Sequence, residues 1–354
     1  MLTSSSIPVH RVATSRLNEV DFEHLEFGSH MSDHMLVARY KGNSWHEPEI
    51  IPYGEISIMP TALALHYGQS VFEGMKAFRM ADGKASIFRV RKHYDRLQRT
   101  LDRMCMPSLP YELFEEGLKQ LVALDRNWIP AKQGSSLYIR PLVFATEDRF
   151  GVKISDEYMF IIMTGPVPPF YPKPLRVKVE DRYSRAAKGG TGAAKCAGNY
   201  GGAFYANKIA KAEGFDQVLW TDLSPDLHIE ESGTMNVFFG IDGQLVTPPL
   251  SDTILEGVTR DSVIALCRKA GIEVVERLIK ASELKEAHQQ GRLSEAFGTG
   301  TAAVTAPICS IGIRGEVIDL PPITDQNLSR KLQVMMSGIQ KGTETDTEAW
   351  NTVV

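Results

Sequence analysis

Apolar positions recur along this chain with two periods, and the change from one to the other outlines its elements. Residues 35–40 (MLVARY), 86–90 (SIFRV), 136–146 (SLYIRPLVFAT) and 158–164 (YMFIIMT) are dense in β-branched and aromatic residues and predict strands. Between them, 91–104 and 110–126 space their apolar residues for helices, and Asp82-Gly83 has the sequence of a tight hairpin turn. Residues 1–164 therefore read as an α+β domain. GPVPPFYPKP at 165–174 carries five prolines, too many for a helix or a central strand, and reads as a linker. Over 175–354, the runs LRVKVE, QVLWTD, MNVFFGI, GQLVTPP and IEVVERLI predict strands, with Asp242-Gly243 as a second hairpin turn. Helices are expected at 200–213, 259–270 and 323–341. In the middle one, Val263, Leu266, Cys267 and Ala270 follow the spacing of a buried face, and Gly271 ends it. No internal repeat interrupts this pattern. The fold class is α/β (α+β), with a smaller N-terminal domain and a larger C-terminal domain centred on a mixed sheet.

Composition narrows the partners. With 354 residues, 43% hydrophobic and 23% charged, the chain has the make-up of an ordinary globular protein long enough for two cores. A formal net charge of -4 argues against nucleic acid or an anionic membrane as the main partner, since neither attracts an acidic surface. No apolar run is long enough to cross a bilayer, and MLTSSSIPVHRVATSR lacks the apolar core of a secretory signal, so a cytoplasmic location is expected. Cys105, Cys196, Cys267 and Cys309 form no CxxC pair, which points away from zinc and from a redox motif; no metal is expected.

The candidate chemistry starts from KGGTGAAKCAGNYGG at 188–202, where Lys195 stands among six glycines with Tyr200 five residues on. Glycine costs folding entropy, so such a cluster marks a close approach of backbone to something else. A nucleotide-binding loop requires glycine before the lysine and serine or threonine after it; here the neighbours are Ala194 and Cys196. A lysine pointing to water is the bland alternative, and Lys188 fits it. The remaining reading is an amine that condenses with an aldehyde, for which it must lose its proton although a free lysine titrates near ~10.4.

Pyridoxal 5'-phosphate is the commonest aldehyde held in this way, and it needs a phosphate clamp, a carboxylate for its ring nitrogen and a donor to its ring oxygen. ILEGVTRDSV at 254–263 places Gly257 and Thr259 at an expected helix start, suited to phosphate, although Thr259 could equally be an ordinary N-cap. FGTGTAAV at 297–304 offers further backbone donors or simply a tight turn. HIEESGTMNVFF at 228–239 carries adjacent Glu230 and Glu231, of which alternation allows one to serve. Tyr200 is the available donor to the ring oxygen, or else a buried aromatic.

Together HYGQSVFEGMKAFR (66–79), SLYIRPLVFATE (136–147), GGTGAAKCAGNYG (189–201), EESGTMNVFF (230–239), LEGVTRD (255–261) and FGTGTAA (297–303) resemble the branched-chain amino acid aminotransferases, pyridoxal-phosphate enzymes of fold type IV. The likeness runs from about Phe27 to near the C-terminus. It implies transamination of L-leucine, L-isoleucine and L-valine with 2-oxoglutarate. It implies Lys195 as the catalytic lysine, Tyr200 as the ring-oxygen donor, Glu231 as the ring-nitrogen partner and Glu230 as structural. The phosphate then falls to Arg96, to the N–H groups of Val258 and Thr259, and to Thr301. For substrate it implies Phe27, Tyr67, Tyr138, Arg140 and Phe170 with the turn at Thr301 and Ala302; an apolar wall suits branched side chains, and Arg140 a carboxylate. A homodimer is implied, with the loop at Phe150, Gly151 and Val152 supplied across it. The chain departs from some relatives in having Ala303 and Ala306 where they carry a CxxC pair, and Phe170 where they carry tyrosine. D-amino acid aminotransferases and aminodeoxychorismate lyases share the lysine and acid; the long N-terminal portion with Tyr67, Tyr138 and Arg140 favours the branched-chain group. A non-catalytic phosphate-binding module is the reading from another class.

Overall fold

A computed structural model describes residues 7–169 and 173–354, which pack as two units. The first holds the described residues up to 169 with Ala194–Gly198 and Ser337–Val354; the second holds those from 173 to Ala193 with Asn199–Met336. In the first unit the strands are β1 (His34–Lys41), β2 (Ser44–Pro52), β3 (Ser70–Phe72), β4 (Met75–Arg79), β5 (Ala85–Phe88), β6 (Ser136–Ala145) and β7 (Tyr158–Val167). They form an antiparallel sheet in the order β5-β4-β6-β7-β1-β2, and the C-terminal strand Asn351–Val353 adds to β5. Long β6 is shared: β4 pairs with its residues 137–139 and β3 with 142–144. The short gap between β3 and β4, Glu73-Gly74, is thereby set beside the middle of β6.

Helices α1 (Leu63–Tyr67), α2 (Val90–Arg103) and α3 (Tyr111–Leu124) accompany this sheet. Buried Phe114, Leu118 and Leu121 recur at helical spacing and turn α3 towards β1 and β7, where the Phe114 ring stacks on Phe160 with centroids 6.5 Å apart. Gly117 permits this approach, because a Cβ there would lie 2.6 Å from Leu36 Cδ1. Two expectations shift. The strand expected at 86–90 stops at Phe88, since Arg89 turns into the left-handed region at φ 55° and Val90 opens α2. The proline-rich stretch is strand up to Val167: Pro166 pairs with Leu137 of β6 at a point where β1, whose pairing ends at Met163, no longer asks for its missing N–H.

The second unit has a mixed sheet built from β8 (Leu175–Val179), β9 (Gln217–Thr221), β10 (Ile229–Ser232), β11 (Asn236–Ile241), β12 (Gln244–Thr247), β13 (Val274–Glu276), β14 (Leu293–Gly300), β15 (Val304–Ile313) and β16 (Glu316–Asp319). Its order is β10-β9-β8-β15-β14-β11-β12-β13, with β16 on β15; β8 runs parallel to β9 and β15, and β12 to β13. The helices that follow in the chain are α4 (Gly198–Gly201), α5 (Phe204–Ala212), α6 (Val258–Lys269), α7 (Ala281–Gln289) and α8 (Leu328–Lys341). Strands β14 and β15 do not stand out in the sequence because Gly298, Gly300, Ala296 and Ala306 have weak strand preference; partners on both sides hold them. The helix expected at 200–213 is split at Gly202-Ala203, the one expected at 323–341 starts at Leu328, and Ala270 caps α6 exposed instead of joining its buried face.

Replacing Phe114 by alanine removes a fully buried ring from the first unit and should cost about 3–5 kcal/mol of stability. Urea unfolding checks this; a loss below about 1 kcal/mol would mean that α3 is not held by this contact.

Candidate active site

In the first unit, Lys195 is displayed by a short strip of chain that bends at Ala194 and is bridged to β3 at Cys196. Ala194 and Cys196 are buried in the core at 3% and 2% exposure, so alternation turns the lysine between them the other way. The strip lies antiparallel to β3: Phe72 N–H donates to Lys195 O at 3.1 Å, and Ala197 N–H donates to Ser70 O at 2.9 Å. On its other edge Lys195 N–H donates to Thr100 Oγ1 of α2 at 3.1 Å. Lys195 Nζ stands 5.0 Å from the centre of the Phe72 ring.

Thr100 belongs to a face of α2 that also carries His93 and Arg96, three polar residues at helical spacing and all buried. Arg96 grips Glu73 through Nε to Oε1 and Nη2 to Oε2, each 2.7 Å, and His93 Nδ1 lies 2.8 Å from Oε2. Burial alone would raise the Glu73 carboxyl, but the Arg96 charge and hydrogen bonds, with His93, outweigh it and hold the group well below the usual carboxylate range. Burial pulls His93 down, against the pull of Glu73.

Gly74 brings the substrate-side candidates to the same place, because a Cβ there would collide with the Tyr138 hydroxyl. Arg140 Nη2 donates to that hydroxyl at 3.0 Å and its guanidinium lies over the rings of Phe72 and Tyr138, at 4.6 and 5.2 Å. Arg140 Nε is buried without a hydrogen-bond partner. The Phe27 ring meets Tyr138 edge-on at 5.1 Å. Tyr67 Oη accepts from Gly151 N–H at 3.3 Å, in the loop where Phe150 and Val152 are 80% and 84% exposed. Phe170 lies outside the described residues.

In the second unit, β10 carries both glutamates into buried positions on opposite sides. Glu230 Oε1 accepts from Thr253 Oγ1 at 2.5 Å, and burial raises its carboxyl. Glu231 accepts from Leu255 N–H at 3.1 Å and from Asn236 Nδ2 at 3.2 Å, and its Oε2 lies 2.8 Å from Arg185 Nε. It lines a cleft with Tyr200, Asn199, Arg185 and Thr234. Asn236 also donates to Leu255 O at 2.9 Å and sits where any Cβ on Gly257 would strike its side-chain oxygen. Gly257, not Thr259, is the N-cap of α6, and no side chain caps that helix, so the N–H groups of Val258 and Thr259 occupy its open first turn. Asn236 faces Thr299 of β14 in register, and Thr301 and Ala302 form the turn just beyond that strand. The glycine loop is equally constrained, since a Cβ on Gly192 would come within 2.6 Å of Thr253 Cα and O.

Thus Lys195 joins Arg96 in one unit, and Tyr200, Glu231 and the α6 N-terminus gather in the other. Glu73, His93 and Thr100, the partners of these groups, escaped sequence reading, as did Arg185 and Asn236. A carboxylate inside VFEGM and polar residues at helical spacing in KHYDRLQRT were the available signals.

The model of the family described as amino-transferase class IV matches residues 70–311. The chain belongs to this family. It is similar to the branched-chain-amino-acid aminotransferase 2 of Bacillus subtilis (strain 168), with 44% identity over 357 residues covering 100% of this chain and 98% of that one. Its relatives within the class are therefore the branched-chain aminotransferases. The branched-chain aminotransferase of Thermoproteus uzoniensis, crystallised with norvaline, superposes with a TM-score of 0.75 at 25% identity, over 90% of this chain and 99% of that one. A further solved branched-chain aminotransferase, the T.th. enzyme complexed with N-(5'-phosphopyridoxyl)-L-glutamate, gives 0.73 at 27% identity, over 90% and 97%.

One further charge sits on the Tyr138 face. Lys76 of β4 pairs in register with Tyr138, is 5% exposed, and is pulled by burial down to about 8. Only the folded chain penalises its charge, so the unfolded chain holds the extra proton between about pH 8 and the ordinary lysine range; stability rises with pH across that window. Lys76→Met should flatten this rise in thermal unfolding measured from pH 7 to 10; an identical slope in both proteins would contradict it.

Proposed function

We propose that this chain catalyses the reversible transamination of L-leucine, L-isoleucine and L-valine with 2-oxoglutarate, using pyridoxal 5'-phosphate and yielding branched-chain 2-oxo acids and L-glutamate. The observation that carries the reading is the outward-turned Lys195, held by β3 and α2 within the unit that also carries buried Arg96. The full-length likeness to branched-chain enzymes supports the substrate class, and the phosphopyridoxyl-glutamate complex of a relative supports the cofactor and the second substrate.

The residues fit the cofactor. Buried Arg96 of the first unit suits a phosphate, and so do the uncapped first turn of α6 and the turn at Thr301 and Ala302 in the second. Glu231 is a buried carboxylate already accepting hydrogen bonds, which suits a protonated ring nitrogen, and Tyr200 on the same cleft suits the ring oxygen. When bound, pyridoxal phosphate supplies an electron sink for the breaking of the substrate's α-carbon–hydrogen bond. Lys195 Nζ would accept the proton from the substrate's α-carbon and pass it to the cofactor within the first half-reaction, and would carry a proton in the opposite sense within the second. Arg140, with its orphaned Nε and the hydroxyl of Tyr138 beside it, suits a carboxylate, and Phe27 and Tyr67 in the same unit suit an apolar wall. The alternation of amino donor and oxo-acid acceptor at one site makes the kinetics ping-pong.

We assign the working form as a homodimer, supported by the exposed apolar Phe150 and Val152 on one loop. A cytoplasmic location is supported by four cysteines free of disulfides. Among the described residues no helix is long and apolar enough to cross a membrane.

The test is spectroscopic. L-leucine alone should bleach the visible band of the cofactor-loaded protein, and 2-oxoglutarate should restore it. A response to D-leucine instead would move the chain to the D-amino acid aminotransferases, and no band after supply of pyridoxal phosphate would favour a binding module. Lys195→Ala should lower turnover by at least about 10²–10⁴-fold while cofactor is retained in part; unimpaired transamination would refute the role of this lysine.

A further inference from the structure

We propose that Glu73 is the positioning residue of the cofactor's phosphate clamp, orienting Arg96 through a two-point grip and locking it to the segments that hold Lys195. The inference rests on the functional reading above, in which Arg96 binds phosphate. A carboxylate at 0% exposure is costly to bury, and an apolar residue of similar volume often serves stability as well as a buried ion pair does. What the pair adds here is direction. Glu73 holds the Nε–Nη2 side of the guanidinium at two points of 2.7 Å, which fixes both the plane of the fork and the way its far end points. His93, one turn earlier on α2, contacts the same Oε2 at 2.8 Å and steadies the carboxylate.

Both partners are also next to the groups that grip the lysine. Glu73 follows Phe72, whose N–H holds Lys195 O; Arg96 precedes by one turn Thr100, whose hydroxyl holds Lys195 N–H. The Glu73–Arg96 bridge therefore ties the two flanks of the Lys195 strip to each other, so that the phosphate anchor and the reactive amine move as one body.

Charge and orientation make opposite forecasts. The Glu73 carboxylate offsets part of the Arg96 charge, so its neutralisation would strengthen the hold on a phosphate if electrostatics alone mattered. If Glu73 aims the fork, neutralisation weakens that hold. The experiment titrates the apo forms of wild type, Glu73→Gln, Glu73→Asp and Arg96→Lys with pyridoxal 5'-phosphate and with pyridoxal, which lacks the phosphate. In Glu73→Gln the preference for the phosphorylated ligand should fall by at least about tenfold, with pyridoxal affinity nearly unchanged. Glu73→Asp, which keeps the charge but shortens the reach, should lower the preference as well, and it decides the matter if the glutamine variant does not fold. Adding Glu73→Gln to Arg96→Lys should cost little more than Arg96→Lys alone, because the two act as one unit. A preserved or increased preference in the Glu73 variants, or equal losses for both ligands, overturns the proposal. If Arg96→Lys also leaves the preference intact, the assignment of Arg96 to phosphate fails with it; if Arg96→Lys lowers it and the Glu73 variants do not, only the positioning role is lost.

Discussion

The backbone of Lys195 is hydrogen-bonded on both edges, by Phe72 of β3 on one side and by Thr100 of α2 on the other. This pinning of a single residue is the constraint from which the arrangement of the first unit follows. Burial of its two neighbours, Ala194 and Cys196, leaves the lysine facing away from the core. The strip must also run beside β3, which requires β3 to stop early and β4 to restart at Met75 on another part of β6. The break places Glu73 and Gly74 where one can hold Arg96 and the other can make room for Tyr138. A helix with a wholly apolar buried face could pack there as well, but it could supply neither the hydroxyl nor the guanidinium.

The two units treat buried charge alike. In each, a carboxylate held out of water is surrounded by donors: Arg96 and His93 around Glu73, and Leu255 N–H, Asn236 and Arg185 around Glu231. Unpaired, either group would cost several kcal/mol or take up a proton. Paired, each becomes a fixed negative point against which another group is aligned. Asn236 extends the principle by linking Glu231 to the loop that opens α6, so that the acid and the helix start share one support. Glycine serves the same purpose near these groups: Gly74, Gly192 and Gly257 sit where a single added carbon would strike a neighbour.

Much of this was legible before any coordinates. Strands with dense β-branched and aromatic residues, such as β1, β6 and β7, and helices with regular apolar spacing, such as α2, α3 and α6, lie where the pattern puts them. Their hydrophobic period survives any tertiary context. Less legible were β14 and β15, whose small residues owe their conformation to flanking strands, and the break at Gly202-Ala203 between α4 and α5. Among the candidate site residues, Lys195, Tyr200 and Glu231 stand out because each sits in a local run of unusual composition. Glu73 lies inside a quoted motif, yet nothing local says that its partner is twenty-three residues away on α2. Ala270 shows the converse error, a periodic position that the end of its helix leaves outside the core.

Periodicity and motif order belong to the chain itself: they depend on neighbours a few residues apart, and they suffice for most elements, for the class of chemistry and for singling out Lys195 as its candidate centre. The partners of each charge belong to the folded molecule. Thr100 is ninety-five residues from Lys195 and Asn236 nineteen from Leu255, and such pairs arise only when strands and helices have found their register. That is why a sequence can name candidate groups for the chemistry, whereas the groups hydrogen-bonded to them come into view only once the chain is packed.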